Sequence, residues 1–77
     1  MMHSDDKLIR MAGQMADFFR SQPGAPAEAV AGHINSFWTP RMRQDFVRHL
    51  AEGAEADPIV RDAARFVRLP EQTPARA

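Results

Sequence analysis

Proline and glycine divide this chain into four stretches, each long enough for one short helix and nothing larger. The breaks are Pro23-Gly24-Ala25-Pro26, Pro40, the interval from Gly53 to Pro58, and Pro70. Proline removes a backbone donor and clashes with the preceding turn, so it is excluded from helix interiors, whereas Pro26, Pro40 and Pro58 each suit the first turn of a new helix. Between the breaks, apolar residues recur at three- and four-residue spacing, and no run alternates as a half-buried strand would. The spacing predicts an all-α chain, a small bundle of four short helices over about 4–21, 26–38, 40–52 and 58–68. These make one helical domain over 1–69, followed by a disordered, flexible tail over 70–77, where two prolines and no large apolar residue leave nothing to bury.

The residues at the breaks say how each helix starts and stops. Ser4 caps the first helix, with Asp5 and Asp6 at the positive end of its dipole, and Asp6 is spaced to pair with Arg10. Thr39 and Asp57 are caps ahead of Pro40 and Pro58, and Gly53 suits a left-handed C-terminal cap for the third helix. The expected core stripes follow from the wheel: Leu8, Met11, Ala12, Met15, Phe18 and Phe19; then Ala27, Val30, Ala31, Ile34, Phe37 and Trp38; then Met42, Phe46, Val47 and Leu50; then Ile59, Val60, Ala63, Ala64 and Val67. Arg41, Gln44, Asp45, Arg48 and Glu52 take the far side of the third helix, with Arg48 and Glu52 at ion-pair spacing.

Seventy-seven residues bury only about 60% of their unfolded surface, so a partner's help with stability is expected. There is no Cys, which removes disulfides and thiolate metal sites as other sources of stability. Ten Lys and Arg balance ten Asp and Glu, so no bulk field favours a nucleic acid. Apolar runs fall far short of the roughly 20 residues a membrane span needs. Residues Met1 to Asp6 carry neither the basic nor the apolar region of a secretory signal, and a soluble cytoplasmic protein is expected.

No catalytic constellation emerges. The histidines stand apart from one another and from carboxylates at ligand spacing, and His33, bordering the stripe beside Val30 and Phe37, reads as a hydrogen-bonded structural histidine. No glycine loop for phosphate and no nucleophile elbow is present. Neither catalytic, cofactor-binding nor metal-binding residues are assigned. Arg61, Arg65 and Arg68 form a basic stripe that reads as a solvated face, with an acidic docking site as the alternative.

The informative segment is Phe37-Trp38-Thr39-Pro40-Arg41-Met42-Arg43, where two aromatics and two guanidiniums crowd one helix corner. Arg41 falls on the polar side, but Arg43 falls between Leu50 and Val47 on the apolar side. Its stem can snorkel along apolar surface, or its planar fork can meet a carboxylate or backbone carbonyl on a partner. Trp38 closes its stripe at an exposed end, with part of its ring expected to stay available. The corner is therefore the expected partner interface, made of His33, Phe37, Trp38, Pro40, Met42 and Arg43, with Trp38 and Arg43 as its anchors.

With these residues in place, the sequence resembles the formate dehydrogenase delta subunit family. The resemblance rests on Lys7-Leu8-Ile9-Arg10-Met11-Ala12-Gly13-Gln14 with Phe18-Phe19, then His33-Ile34, then the Phe37 to Arg43 string, then His49-Leu50, and runs from about Lys7 to Val67. The resemblance implies a non-catalytic subunit of a cytosolic NAD-dependent complex. Its large subunit would hold a molybdenum pterin cofactor and iron–sulfur clusters and oxidise formate to carbon dioxide, passing electrons through iron–sulfur and flavin (FMN) subunits to NAD. This chain would carry no cofactor and would support assembly, cofactor retention or stability of the large subunit. Two other classes stay open from the residues alone: a small helical regulatory or nucleic-acid-binding protein, and a bundle that self-associates through the Trp38 corner.

Overall fold

The computed structural model describes residues 6–69, and these form four α-helices, α1 (Asp6–Arg20), α2 (Pro26–Phe37), α3 (Pro40–Ala51) and α4 (Pro58–Ala63), the last running into a 3-10 turn over Ala64–Phe66. No strand occurs among the described residues. The caps expected at Ser4 and Asp5, the Asp6 side chain with its Arg10 pairing, and the tail over 70–77 lie outside what is described.

Each start and stop has a local cause. α2 begins without a side-chain cap, since Ala25 has none to offer, but Pro26 at its first position has no N–H to satisfy. At Trp38 the backbone leaves the helix (φ −89°, ψ 145°), because Thr39 precedes a proline and is held extended (φ −69°, ψ 161°). The Thr39 hydroxyl then accepts from the Met42 N–H at 3.1 Å and opens α3. α3 closes on Gly53 at φ 103°, with Gly53 N–H donating to Leu50 O and Ala54 N–H to His49 O, both at 3.1 Å. That pair of bonds is a Schellman cap, and the positive φ is why glycine stands there. Asp57 opens α4 by accepting from Ile59 N–H at 2.8 Å.

α2 is the central helix and packs against both α1 and α4. Val30, Ile34, Phe46 and Val60 are fully buried at the centre, and the Trp38 ring meets Phe46 edge-on at 5.6 Å. No polar or charged residue is buried as a whole among the described residues, so the core gains chiefly from apolar burial.

Two expectations about the helices hold only in part. Of the expected α1 stripe, Ala12 is fully buried and Leu8, Met11, Met15 and Phe19 pack partly buried on the core, but the innermost line is Ala12 with Ala16, which the stripe did not include. With no side chain beyond Cβ, these alanines leave the facing helix room for close approach, and the bulkier Met11, Met15 and Phe18 fall to the flank. Phe18 is 60% exposed. α4 ends at Ala63, not near 68, and by Val67 the chain is extended (φ −79°, ψ 131°) with the Val67 side chain buried. Side chains of α2 and α3 hold it there: Asn35 Nδ2 donates to Phe66 O at 3.1 Å, Asn35 Oδ1 accepts from Arg68 N–H at 2.8 Å, and Arg43 Nε donates to Arg68 O at 2.8 Å.

Candidate functional site

The α2–α3 corner brings together the residues that the sequence singles out, but assigns several of them differently. Trp38 is 6% exposed and serves the core, so far less of it is left at the surface than expected. The cause is the break at Thr39-Pro40: as the chain turns out of α2, Trp38 swings under the corner onto Phe46. Its neighbour Phe37, one helical step of about 100° away, is 73% exposed and does not join the buried stripe. His33 is likewise exposed. Expected as a hydrogen-bonded structural histidine at the border of the stripe, it is a surface ring that lies against Phe37 with centroids 4.6 Å apart and a 36° tilt. Pro40 is exposed, and Met42 packs half-buried against the core.

Arg43 answers the question of its unusual position. Its Nη1 donates to Trp38 O at 2.9 Å and its Nε to Arg68 O at 2.8 Å, so the fork is used within the chain. Trp38 O belongs to the end of α2, where carbonyls lack intrahelical partners and the dipole is negative, so a cation there is favourable twice over. This is neither of the two uses expected for Arg43: the acceptors are backbone carbonyls, but of this chain and not of a partner. Arg41, with a side chain 82% exposed, makes only a loose 3.8 Å contact with Asp45.

A groove opens at the surface between α1 and α2, of about 460 Å³, lined by Met11, Gln14, Met15, Phe18 and Phe19 on one side and His33 and Trp38 on the other. Phe37 stands beside it through its contact with His33. Phe18 meets Phe19 edge-on at 5.1 Å, which fixes two large rings along the α1 wall. Of the expected interface residues, His33 and Trp38 line this groove and Phe37 adjoins it through His33, while Pro40, Met42 and Arg43 do not line it. The α1 wall was hidden in the sequence as core. The signal that could have exposed it is width: Leu8, Ile9, Met11, Met15, Phe18 and Phe19 cover more of the helix than one buried stripe requires.

Electrostatics elsewhere are structural. Arg20 bridges Asp17 at 3.0 Å and Asp57 at 2.8 Å, tying the end of α1 to the start of α4. The Arg20 guanidinium, and after it the Ile59 N–H, hold the Asp57 carboxyl below its ordinary range, and the two carboxylates raise Arg20 in return. The basic stripe on α4 is partly engaged: Arg61 donates to Ala54 O at 3.0 Å, and Arg65 pairs with Asp62 at 3.3 Å. Among the described residues no cluster of His, Asp and Glu could hold a metal ion, and no helix is long and apolar enough to cross a membrane.

No curated protein matches the sequence. A family model does, over residues 7–64, which takes in all four helices and ends one residue past α4. That match covers the motif string at the corner, both walls of the groove and the Asp57 cap, and on it the chain belongs to the NADH-dependent formate dehydrogenase delta subunit family, FdsD.

Proposed function

We propose that the chain is a non-catalytic accessory subunit that binds the molybdenum-containing large subunit of a cytoplasmic formate dehydrogenase and supports its assembly, cofactor retention or stability. The observation that carries this reading is the α1–α2 groove. A small bundle with a fully apolar core still leaves Phe18 and Phe37 mostly exposed, beside two methionines whose flexible side chains adapt to a facing surface. Exposed aromatics clustered around a groove are the usual anchors of a protein interface. The chain's own residues do not fit the metal chemistry of such a complex: it has no Cys for an iron–sulfur cluster and, among the described residues, no converging metal ligands. In this reading the molybdenum pterin, the iron–sulfur clusters and the flavin reside in the other subunits, and this chain contributes surface.

The proposal moves the anchors from Trp38 and Arg43 to Phe18 and Phe37, with His33, Met11 and Met15 around them. A tagged chain expressed in its native cell should retain the large subunit, identified by mass, and formate-dependent NAD reduction should copurify with it. The double variant Phe18→Ser, Phe37→Ser should lose both while keeping the helical circular dichroism of the unmodified chain. Retention of the large subunit by that folded variant would sink the assignment of the groove. The same groove also favours self-association as a second reading, and sedimentation of the isolated chain across concentration separates the two: a dimer abolished by the double variant would support it.

A further inference from the structure

Three side-chain hydrogen bonds between residues far apart in the chain converge on one short backbone segment. Asn35 on α2 accepts from Arg68 N–H and donates to Phe66 O, and Arg43 on α3 donates to Arg68 O. A carbonyl, the N–H two residues on and that residue's own carbonyl are groups that a neighbouring strand would satisfy. Here two side chains do so. Between the contacts Val67 is extended and its side chain turns into the core.

By local rules the same residues belong to a helix. Ala63, Ala64 and Arg65 are good helix formers, Val60, Ala63, Ala64 and Val67 keep helical spacing, and the first residue that forbids continuation is Pro70. A continued helix would give the Arg68 N–H an acceptor four residues back and would not need Asn35. Two conformations therefore compete for this segment. One is held by Asn35, Arg43 and the socket for Val67, and the other by hydrogen bonds of its own.

We propose that residues 64–69 are a two-state strap, clamped across α2 and α3 when Asn35 and Arg43 hold its backbone and extending α4 as helix when they release it. Release uncovers the Asn35 amide and one edge of the Arg43 guanidinium. The inference stands independently of what occupies the α1–α2 groove.

The test is nuclear magnetic resonance on the full chain, with 13Cα secondary shifts at Phe66, Val67 and Arg68 as the readout. The unmodified chain should show an extended value at Val67. Asn35→Ala should turn that value helical while the shifts of α1 and α3 stay in place. Asn35→Asp, which keeps the acceptor for Arg68 N–H and loses the donor to Phe66 O, should lie between. Relaxation dispersion on the unmodified chain needs no variant and decides the matter if both variants fail to fold. The expected result there is exchange at residues 66–68 with shift differences toward helix. Extended shifts kept in both folded variants, random-coil shifts in place of helical ones, or flat dispersion where neither variant folds would each overturn the strap.

Discussion

The two sides of α2 make opposite use of their exposed groups. Toward α1 lies a groove edged by the exposed Phe18 ring and by half-buried thioethers, and toward α3 lies a corner whose polar groups are paired within the chain. From residue types alone the ranking is the reverse: Trp38 and Arg43 have the chemistry of interface anchors, whereas Phe18 and Met15 look like core. Chemistry sets what a side chain is able to do, and accessibility decides where it does it. The Trp38 ring is spent on Phe46 and the Arg43 fork on two carbonyls, so the apolar surface that stays open is the one whose residues looked internal.

The sharpest way to break this comparison is to truncate two adjacent aromatics. Trp38→Ala should cost about 3–5 kcal/mol, as for other large-to-small changes in a core, a large share of the stability of a domain this small. Phe37→Ala should stay within about 0.5 kcal/mol of the unmodified chain and weaken only partner binding. Urea unfolding of the two variants checks the difference, and comparable losses would mean that the corner is not divided between core and surface as described.

Next in size is the pair of arginines two residues apart. Arg43→Ala removes charge-assisted hydrogen bonds to Trp38 O and Arg68 O and should cost about 2 kcal/mol. Arg41→Ala, which loses a 3.8 Å contact at an exposed site, should change stability by less than about 0.5 kcal/mol. If the denaturation midpoints of the two coincide, the Arg43 clamp contributes nothing, and that guanidinium becomes available again as a partner contact.

The smallest effect separates the two sides by pH. Arg20 pins the end of the α1 wall to Asp57, and because the folded-state carboxyl of Asp57 is depressed, its contribution is present above the unfolded value of about pH 4 and is lost as pH falls through the lower folded value. Arg20 is raised, so its side of the linkage is lost only in strong alkali. Arg43 meets carbonyls, which do not titrate, and its clamp should persist in acid. Asp57→Asn still offers a capping oxygen but no charge. Its stability deficit at neutral pH should shrink toward zero below about pH 4, with amide exchange rising near Arg20 and not near Arg68. An equal deficit at both pH values would remove the ion pair from the account.

Much of the fold was readable along the chain, for reasons that act over a few residues. Proline geometry, the Thr39 and Asp57 caps, the left-handed glycine at position 53 and the apolar spacing of α3 depend on neighbours within about a turn, and the structure reproduces each of them. The Phe37 to Arg43 string was legible as the distinguishing segment because its composition is unusual, whatever its residues go on to touch.

Distances across the fold decided the rest. Whether Ala12 and Ala16 or Met11 and Phe18 form the inner line of α1 depends on how closely α2 approaches, which no wheel of α1 contains. Whether α4 continues through Val67 depends on Asn35, 33 residues before Arg68, outcompeting the helix's own next hydrogen bond. Whether Arg43 faces a partner depends on two carbonyls, one at the end of α2 and one beyond α4, which only folding brings to the same guanidinium. The sequence by itself determined four helices, the starts of α2, α3 and α4 and the end of α3, because hydrogen bonding within one turn and the shapes of proline and glycine set them. The tertiary structure alone decided which apolar residues were left over for a partner, because burial is a property of pairs of faces and is assigned only when the faces meet.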